Sequence, residues 1–502
     1  MSLEKQFKEL LIQVKSLNGE HFNLKLIKDA WNFAKLAHTG QKRYSGEPYV
    51  IHALETAKIL TSWRLDTTTI IAGILHDTVE DGAAEVEDIE TSFGKEVAAL
   101  VDGATKVSHI KLRSSVEEEF VENLRKMFLA MAKDLRVIFV KLADRLHNVR
   151  TLSYVPKDNQ KRIAQETLEI YVPLADRLSM GNVKGELEDL AFVYLYPNDY
   201  KKVLKLSQLH YRKGDARIEK MKHTILKVLA QEKVVAKVVG RKKRLYSLWR
   251  KLERPDIEWD FSKVHDIVAL RVIVNTVNDC YTALGIVHRH FKLVPKIGIS
   301  DFIAQPKPNG YQSIHTKVFG PGGGVVEVQI RTNDMHEQAE HGIAAHWGLS
   351  ALKSTGELDS KGIDEGKWII NKDKFSWVRQ LAEWQKEISD SEEFLKAVKF
   401  DALSRRIFVF SPKGDVFDLP MNATPVDFTF AVHSDLGDYI KAAKVDGKIV
   451  PLNYKLKSGQ VVEILKSKEK RLPSHDWLEF VVTNFARREI TKTIRKNDVD
   501  RN

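Results

Sequence analysis

The residues with the clearest chemical potential are His76-Asp77-Thr78-Val79-Glu80-Asp81. On a helix, His76 and Glu80 lie one turn apart, as do Asp77 and Asp81, so two polar pairs fall on neighbouring stripes. They follow directly on the apolar run IIAGIL, and burying so many carboxylates without a cation is costly. His52 lies upstream; Asp144 and Asn148 lie downstream in VKLADRLHNVRTL, again one turn apart. Two histidines and two aspartates supplied by three helices form a mixed nitrogen and oxygen set for a divalent metal such as Mn²⁺. A metal there would acidify a bound water, and Glu80 with Asp81 could orient that water or take its proton. Taken singly, each residue is equally well explained as a helix cap or a surface ion pair.

A second group joins basic and acidic side chains. Residues 240–251, GRKKRLYSLWRK, hold six cations behind a glycine, a composition that can grip a triphosphate near a helix start. In VEVQIR, residues 326–331, the apolar Val326, Val328 and Ile330 share one face of a strand, leaving Glu327, Gln329 and Arg331 on the other. Such a face either lines a site or meets solvent. Asp266, at the start of another strand, could bring a second carboxylate to the same Mg²⁺.

These residues need elements to position them. Up to residue 196 apolar residues recur at three and four positions, for example over 24–38, 55–63 and 97–107, which predicts helices. Pro197-Asn198-Asp199 precedes a basic amphipathic helix expected over 200–238. The period then shortens: 265–274, 315–319 and 325–330 read as strands, the last two joined by a PGGG turn, and 334–347 returns to helix. Residues 350–374 read as a loop and 375–398 as a helix. The block 406–465 combines short strands and turns in a small α+β domain, and 477–502 reads as helical.

With 502 residues and 43% apolar composition, the chain has material for several globular domains. No apolar run approaches the length that crosses a bilayer, and MSLEKQFKEL lacks the apolar core of a signal peptide, so no membrane association is expected. Cys280 is the single cysteine, which fits a reducing, cytoplasmic setting. The net charge is +11, and residues 201–260, with 18 basic and 7 acidic side chains, account for all of it. That concentration favours a phosphate-rich ligand at one place; a solvated lysine-covered helix face is the plain alternative.

The words HTGQKRYSGEPYVIH, AGILHDTVED and VKLADRLHNVRTL resemble the HD-type hydrolase domain of the RelA/SpoT family of alarmone enzymes. The resemblance implies an all-α domain that removes the 3′-pyrophosphate of ppGpp and pppGpp with Mn²⁺. His52, His76, Asp77 and Asp144 would then be the metal ligands and Glu80 and Asp81 the catalytic acids. Arg43, Ser45, Asn148 and Thr151 would lie around the guanosine, with Arg43 against the base. The His-Asp-x-x-Glu-Asp word is intact, so the domain reads as active; Ala53 stands where proline is usual.

RKKRLYSLWRKL, HDIVALRVIV, PKPNGYQSIHT and EVQIRTNDMHEQAEHGIAAHW resemble the family's α/β, nucleotidyltransferase-like synthetase domain, which moves pyrophosphate from ATP to the 3′-hydroxyl of GDP or GTP. By that resemblance Asp266 and Glu327 hold Mg²⁺, and Glu327 also activates the acceptor hydroxyl. Arg241, Lys243 and Lys251 address ATP, Tyr311 stacks on guanine, and Lys307, Asn309 and His315 place the acceptor. One departure stands out: Gly298-Ile299-Ser300-Asp301 replaces a charged word, removing two phosphate-facing charges. Each such contact is worth about 1.5–3 kcal/mol, so synthesis is expected to be weakened.

Residues 406–465 resemble a β-grasp TGS domain, which in long family members contacts uncharged tRNA on the ribosome, with His433 at the contact. The zinc-finger-like and ACT modules that usually follow are absent from this chain. The expected divisions are a hydrolase over 1–196, a synthetase over 197–350, a linker and helix over 351–404, TGS over 405–466 and a helical start over 467–502. Two opposed activities imply antagonistic coupling, expected through the helix at 200–238. Two alternatives remain open: a hydrolase of another nucleotide with a vestigial regulatory synthetase, and a tRNA- or ribosome-binding regulator.

Overall fold

The computed structural model describes residues 2–18, 22–106, 129–131, 133–264, 267–295, 299–307, 310–342, 344, 406–471 and 473–499. The chain divides into two units, Met1–Val378 and Arg379–Asn502. The loop and helix expected over 350–398 lie outside the described residues.

The first unit opens as an all-helical body: α1 (Leu3–Asn18), α2 (Leu24–Ala37), α3 (Val50–Ser62), α4 (Thr67–Glu80), α5 (Val86–Phe93), α6 (Lys95–Lys106), α7 (Arg136–Arg150), α8 (Lys157–Glu166), α9 (Val172–Arg177) and α10 (Gly181–Leu195). A π turn, Thr167–Tyr171, joins α8 to α9. Asp66 starts α4 by accepting from the Thr69 amide at 2.8 Å. The IIAGIL run is then buried on every side. Gly73 lets α4 press against α3, because a Cβ there would stand 2.3 Å from Leu60 Cδ1.

A long helix, α11 (Pro197–Gln231), leads to the second body. The helix expected to reach 238 ends at Gln231, and Ala236–Lys242 forms strand β1. The β-branched Val234, Val235, Val238 and Val239 favour extended backbone, and pairing supplies the rest: Ala236 lies opposite Val274 and Lys242 opposite Val268. The basic word at 240–251 is therefore split between β1 and the short helix α12 (Leu245–Leu252).

With β2 (Val268–Val274), β3 (Ser300–Asp301), β4 (Ile314–Phe319) and β5 (Val325–Thr332), β1 forms a sheet of order β1-β2-β5-β4-β3. Only β2 and β5 run parallel among its neighbours. Helices α13 (Val277–His290) and α14 (Asn333–His341) complete this mixed α/β body. Phe192 of α10 stacks on Trp249 of α12 at 4.9 Å and so ties the helical body to the sheet body.

The second unit holds β6 (Arg406–Phe410), β7 (Val416–Pro420), α15 (Pro425–Val432), β8 (Ile440–Val445), β9 (Lys448–Val450), β10 (Val462–Lys466), α16 (Trp477–Phe480) and α17 (Asn484–Val499). This is the expected small α+β module followed by helix. Asp427, 1% exposed, joins its parts: one carboxylate oxygen caps Thr424, and the other accepts from the amides of Val482 and Thr483 ahead of α17.

Candidate active sites

The hairpin at residues 42–48, with Gly46 in the left-handed region at φ 82°, sets Arg43 beside the first turn of α3. Three helices then converge, α3 with His52, α4 with His76 and Asp77, and α7 with Asp144. His52 Nε2 lies 3.4 Å from Asp77 Oδ2 and 3.3 Å from Asp144 Oδ1. His76 Nε2 lies 3.1 Å from Asp77 Oδ1 and 4.0 Å from Asp144 Oδ1.

Proton placement sharpens this cluster. The His76 Nδ1–H donates to the Gly73 carbonyl at 2.8 Å, which leaves Nε2 as a buried lone pair with no hydrogen-bond partner. Arg43 Nη1, a donor only, approaches His147 Nδ1 at 2.9 Å, so that nitrogen accepts. Burial first, then His52 and Arg43, push the His147 imidazole down to about 2, which keeps it neutral. His52 Nδ1 lies 2.7 Å from the same atom and 3.2 Å from Arg43 Nη1, and its Nε2 faces the carboxylates. The His76 lone pair, His52 Nε2 and two carboxylates thus face one another. The ligand atoms of His52, His76 and Asp144 fit within 4.8 Å of one another and could hold a divalent metal.

Around the set, the Tyr49 hydroxyl donates to Asp77 at 3.0 Å, and Asn148 binds Arg43 at 2.6 Å and Asp144 at 2.5 Å. Glu80 and Asp81 close α4; Lys141 Nζ is 3.7 Å from Glu80, and His38 Nδ1 is 3.6 Å from Asp81. A cavity of about 690 Å³ adjoins, lined in part by Lys42, Arg43, Tyr49, Arg145, Asn148 and Arg162. Ser45 and Thr151 do not line it. The Ser45 hydroxyl lies on Glu47 at 3.2 Å and the Thr151 hydroxyl on the His147 carbonyl at 3.1 Å. Tyr49, Lys141, Arg145 and His147 went unread in the sequence, because each gains its place from partners on other helices.

On the sheet, His315 Nδ1 lies 3.1 Å from Glu327 Oε1, and its Nε2 lies 2.8 Å from the Tyr311 hydroxyl. Gln329 and Arg331 share the Glu327 face, as alternation predicts, but they are 6% and 1% exposed. These two side chains therefore do not meet solvent, while Glu327 stays partly exposed. Arg331 and Arg271 share the Glu340 carboxylate at 3.0 and 2.8 Å. Burial, then Arg331, push the Arg271 guanidinium down to about 10. Arg241, Arg271, Lys307, Tyr311, Arg331 and Glu340 line a cavity of about 180 Å³ whose other wall is Asp176, Ser179, Gly181 and Asn182 of the helical body.

Lys243 and Lys251 are half-buried and do not line that cavity. Asp266, Asn309 and Gly298 lie outside the described residues. Ser300 pairs directly with His315, so the altered word borders the site. Of the cationic surplus, Arg241 faces the cavity, whereas Lys201, Lys202, Lys205, Arg212, Lys220 and Lys227 lie exposed along α11. In the second unit His433 is exposed at the end of α15.

Three family models match in order along the chain: the HD domain over residues 30–181, the region found in RelA and SpoT proteins over 240–351, and the TGS domain over 407–466. A GTP pyrophosphokinase of Myxococcus xanthus is 48% identical over 94% of this chain and 61% of its own length. A guanosine-3′,5′-bis(diphosphate) 3′-pyrophosphohydrolase of Aquifex aeolicus is 44% identical over 95% and 65%. A bifunctional (p)ppGpp synthase/hydrolase of Mycobacterium tuberculosis is 42% identical over 94% and 63%. The chain spans less than two thirds of each of these relatives. It belongs to the RelA/SpoT family.

Proposed function

We propose that the chain is an alarmone enzyme of the stringent response whose helical body hydrolyses (p)ppGpp to GDP or GTP and pyrophosphate. The observation that carries this reading is the convergence of His52, His76, Asp77 and Asp144, beside a cavity rimmed by Lys42, Arg43, Arg145 and Arg162. His52, His76, Asp77 and Asp144 would hold Mn²⁺, which supplies Lewis acidity at the phosphorus attached to O3′. Water adds to that phosphorus and its proton passes to the Glu80–Asp81 pair. The P–O3′ bond breaks, O3′ takes a proton, and pyrophosphate leaves. Arg43 and Asn148, joined at 2.6 Å, stand where the guanosine enters. The names of the Aquifex and Mycobacterium relatives support the same reading.

The sheet body is a second nucleotide site, for transfer of pyrophosphate from ATP to the 3′-hydroxyl of GDP or GTP with Mg²⁺ held by Glu327 and Asp266. Glu327, oriented by His315, takes the acceptor proton, and the buried arginine pair meets phosphate charge. With two charges missing from the word at 298–301, whose Ser300 pairs with His315, this activity is weakened. The module around His433 would contact uncharged tRNA at the ribosome. The hydrolase comprises 1–196, the synthetase 197–350 and TGS 405–466, and the protein works in the cytoplasm. Among the described residues, no helix is long and apolar enough to cross a membrane.

The test is release of labelled pyrophosphate from 3′-labelled ppGpp by purified protein with Mn²⁺, beside chelator-treated protein and another nucleotide phosphate ester. Release confined to the Mn²⁺ sample with ppGpp supports the reading. Efficient turnover of the other ester with ppGpp untouched overturns it.

A further inference from the structure

Lys141 is a lysine in the wrong place for a surface charge. It lies on α7, three residues before Asp144, and is 4% exposed. A buried ammonium persists only when anions compensate it. Its Nζ stands 3.6 Å from Asp144 Oδ2 and 3.7 Å from Glu80 Oε2, so one cation bridges α7 and the end of α4.

The two oxygens of Asp144 are thereby divided. Oδ1 faces His52 Nε2 at 3.3 Å and accepts from Asn148, while Oδ2 is turned to Lys141. A lysine here weakens the hold on a divalent cation, since like charges at this range repel strongly in a buried setting. A group that opposes metal binding has to act on something other than the metal. Besides Asp144, its Nζ stands against Glu80, the carboxylate assigned above to the attacking water.

We propose that Lys141 is a positioning residue: it ties Glu80 to the outer oxygen of Asp144 and so fixes the proton-accepting carboxylate relative to the metal-holding groups. This rests on the hydrolase reading above. It carries a dissociated signature, because removing the ammonium should slow turnover while tightening the metal. A general loss of packing would weaken both.

The experiment compares wild type with Lys141→Met, Glu80→Gln and the double variant, using ppGpp turnover and Mn²⁺ titration by calorimetry. Lys141→Met is expected to lower kcat about 30-fold or more, with KM within about threefold, and to bind Mn²⁺ about threefold to tenfold more tightly. At saturating Mn²⁺ the kcat of the double variant should match that of Glu80→Gln, since a residue that affects turnover through Glu80 adds nothing once Glu80 is disabled. Retained kcat, multiplying effects, or unchanged or weaker Mn²⁺ binding overturns the proposal. If thermal unfolding shows Lys141→Met misfolded, Lys141→Gln decides by the same criteria. If the wild type releases no pyrophosphate, the hydrolase reading falls by itself. The Mn²⁺ titration then decides alone: tighter binding sustains the tie to Asp144 and weaker or equal binding refutes it.

Discussion

The helical site and the sheet site use the same ingredients in inverted order. In the helical site acids stand at the centre, with Asp77 and Asp144 against two imidazoles, and the cations Lys42, Arg43, Arg145 and Arg162 form the rim. In the sheet site two buried arginines stand at the centre, and the carboxylate of Glu340 lies between them. A centre of acceptors is completed by a metal cation, and a centre of guanidinium groups by an anion. The first centre comes wholly from the helical body. The second borrows the wall at residues 176–182 from its neighbour, so its pocket depends on how the two bodies meet.

The largest expected effect sharpens the contrast. Asp77→Ala should abolish Mn²⁺ binding and lower ppGpp hydrolysis by about 10³-fold or more, leaving synthesis unchanged. Calorimetry and label release read this, and a synthesis rate that falls equally would break the separation of the two centres. Next, Glu327→Gln should lower pyrophosphate transfer from ATP by about 10²-fold with hydrolysis intact, measured by thin-layer separation of labelled products. A smaller gain is expected from the pair Gly298→Arg and Ser300→Lys. Returning cations to this word, whose Ser300 pairs with His315, should raise synthesis about tenfold, and no change would show that the departure at 298–300 is neutral.

The smallest effect probes the borrowed wall. Gly342 sits at φ 61°, and a Cβ there would stand 2.2 Å from the Leu178 carbonyl oxygen. Gly342→Ala should therefore push residues 178–180 away from α14, lowering synthesis about fivefold while Mn²⁺ binding stays at the wild-type value. Equal loss at both sites would mean that the helical centre also depends on this contact.

Much of the helical site was legible because its chemistry is local in the chain. The stretch 76–81 carries four site residues beside an apolar run, and the one-turn spacing of Asp144 and Asn148 survives folding as a 2.5 Å contact. The strand alternation that put Glu327, Gln329 and Arg331 on one face was legible for the same reason. What covered that face was not: Arg331 is buried by α14 and its Glu340, residues that alternation along one strand does not address. The fate of 232–238 was equally hidden, since a valine-rich continuation of a helix becomes a strand only when β2 is there to pair with it.

By itself, then, the sequence determined which side chains are available and which stripe or face each occupies. Helical and strand periods follow from backbone geometry, and the length and charge of 201–260 follow from composition. Only the tertiary structure decided that Lys141 lies between two acids and that His147 serves as a neutral acceptor between Arg43 and His52. Only it decided that the helical body closes the arginine-centred pocket. Those outcomes are set by desolvation and by partners tens of residues away, and both come into being when the elements pack.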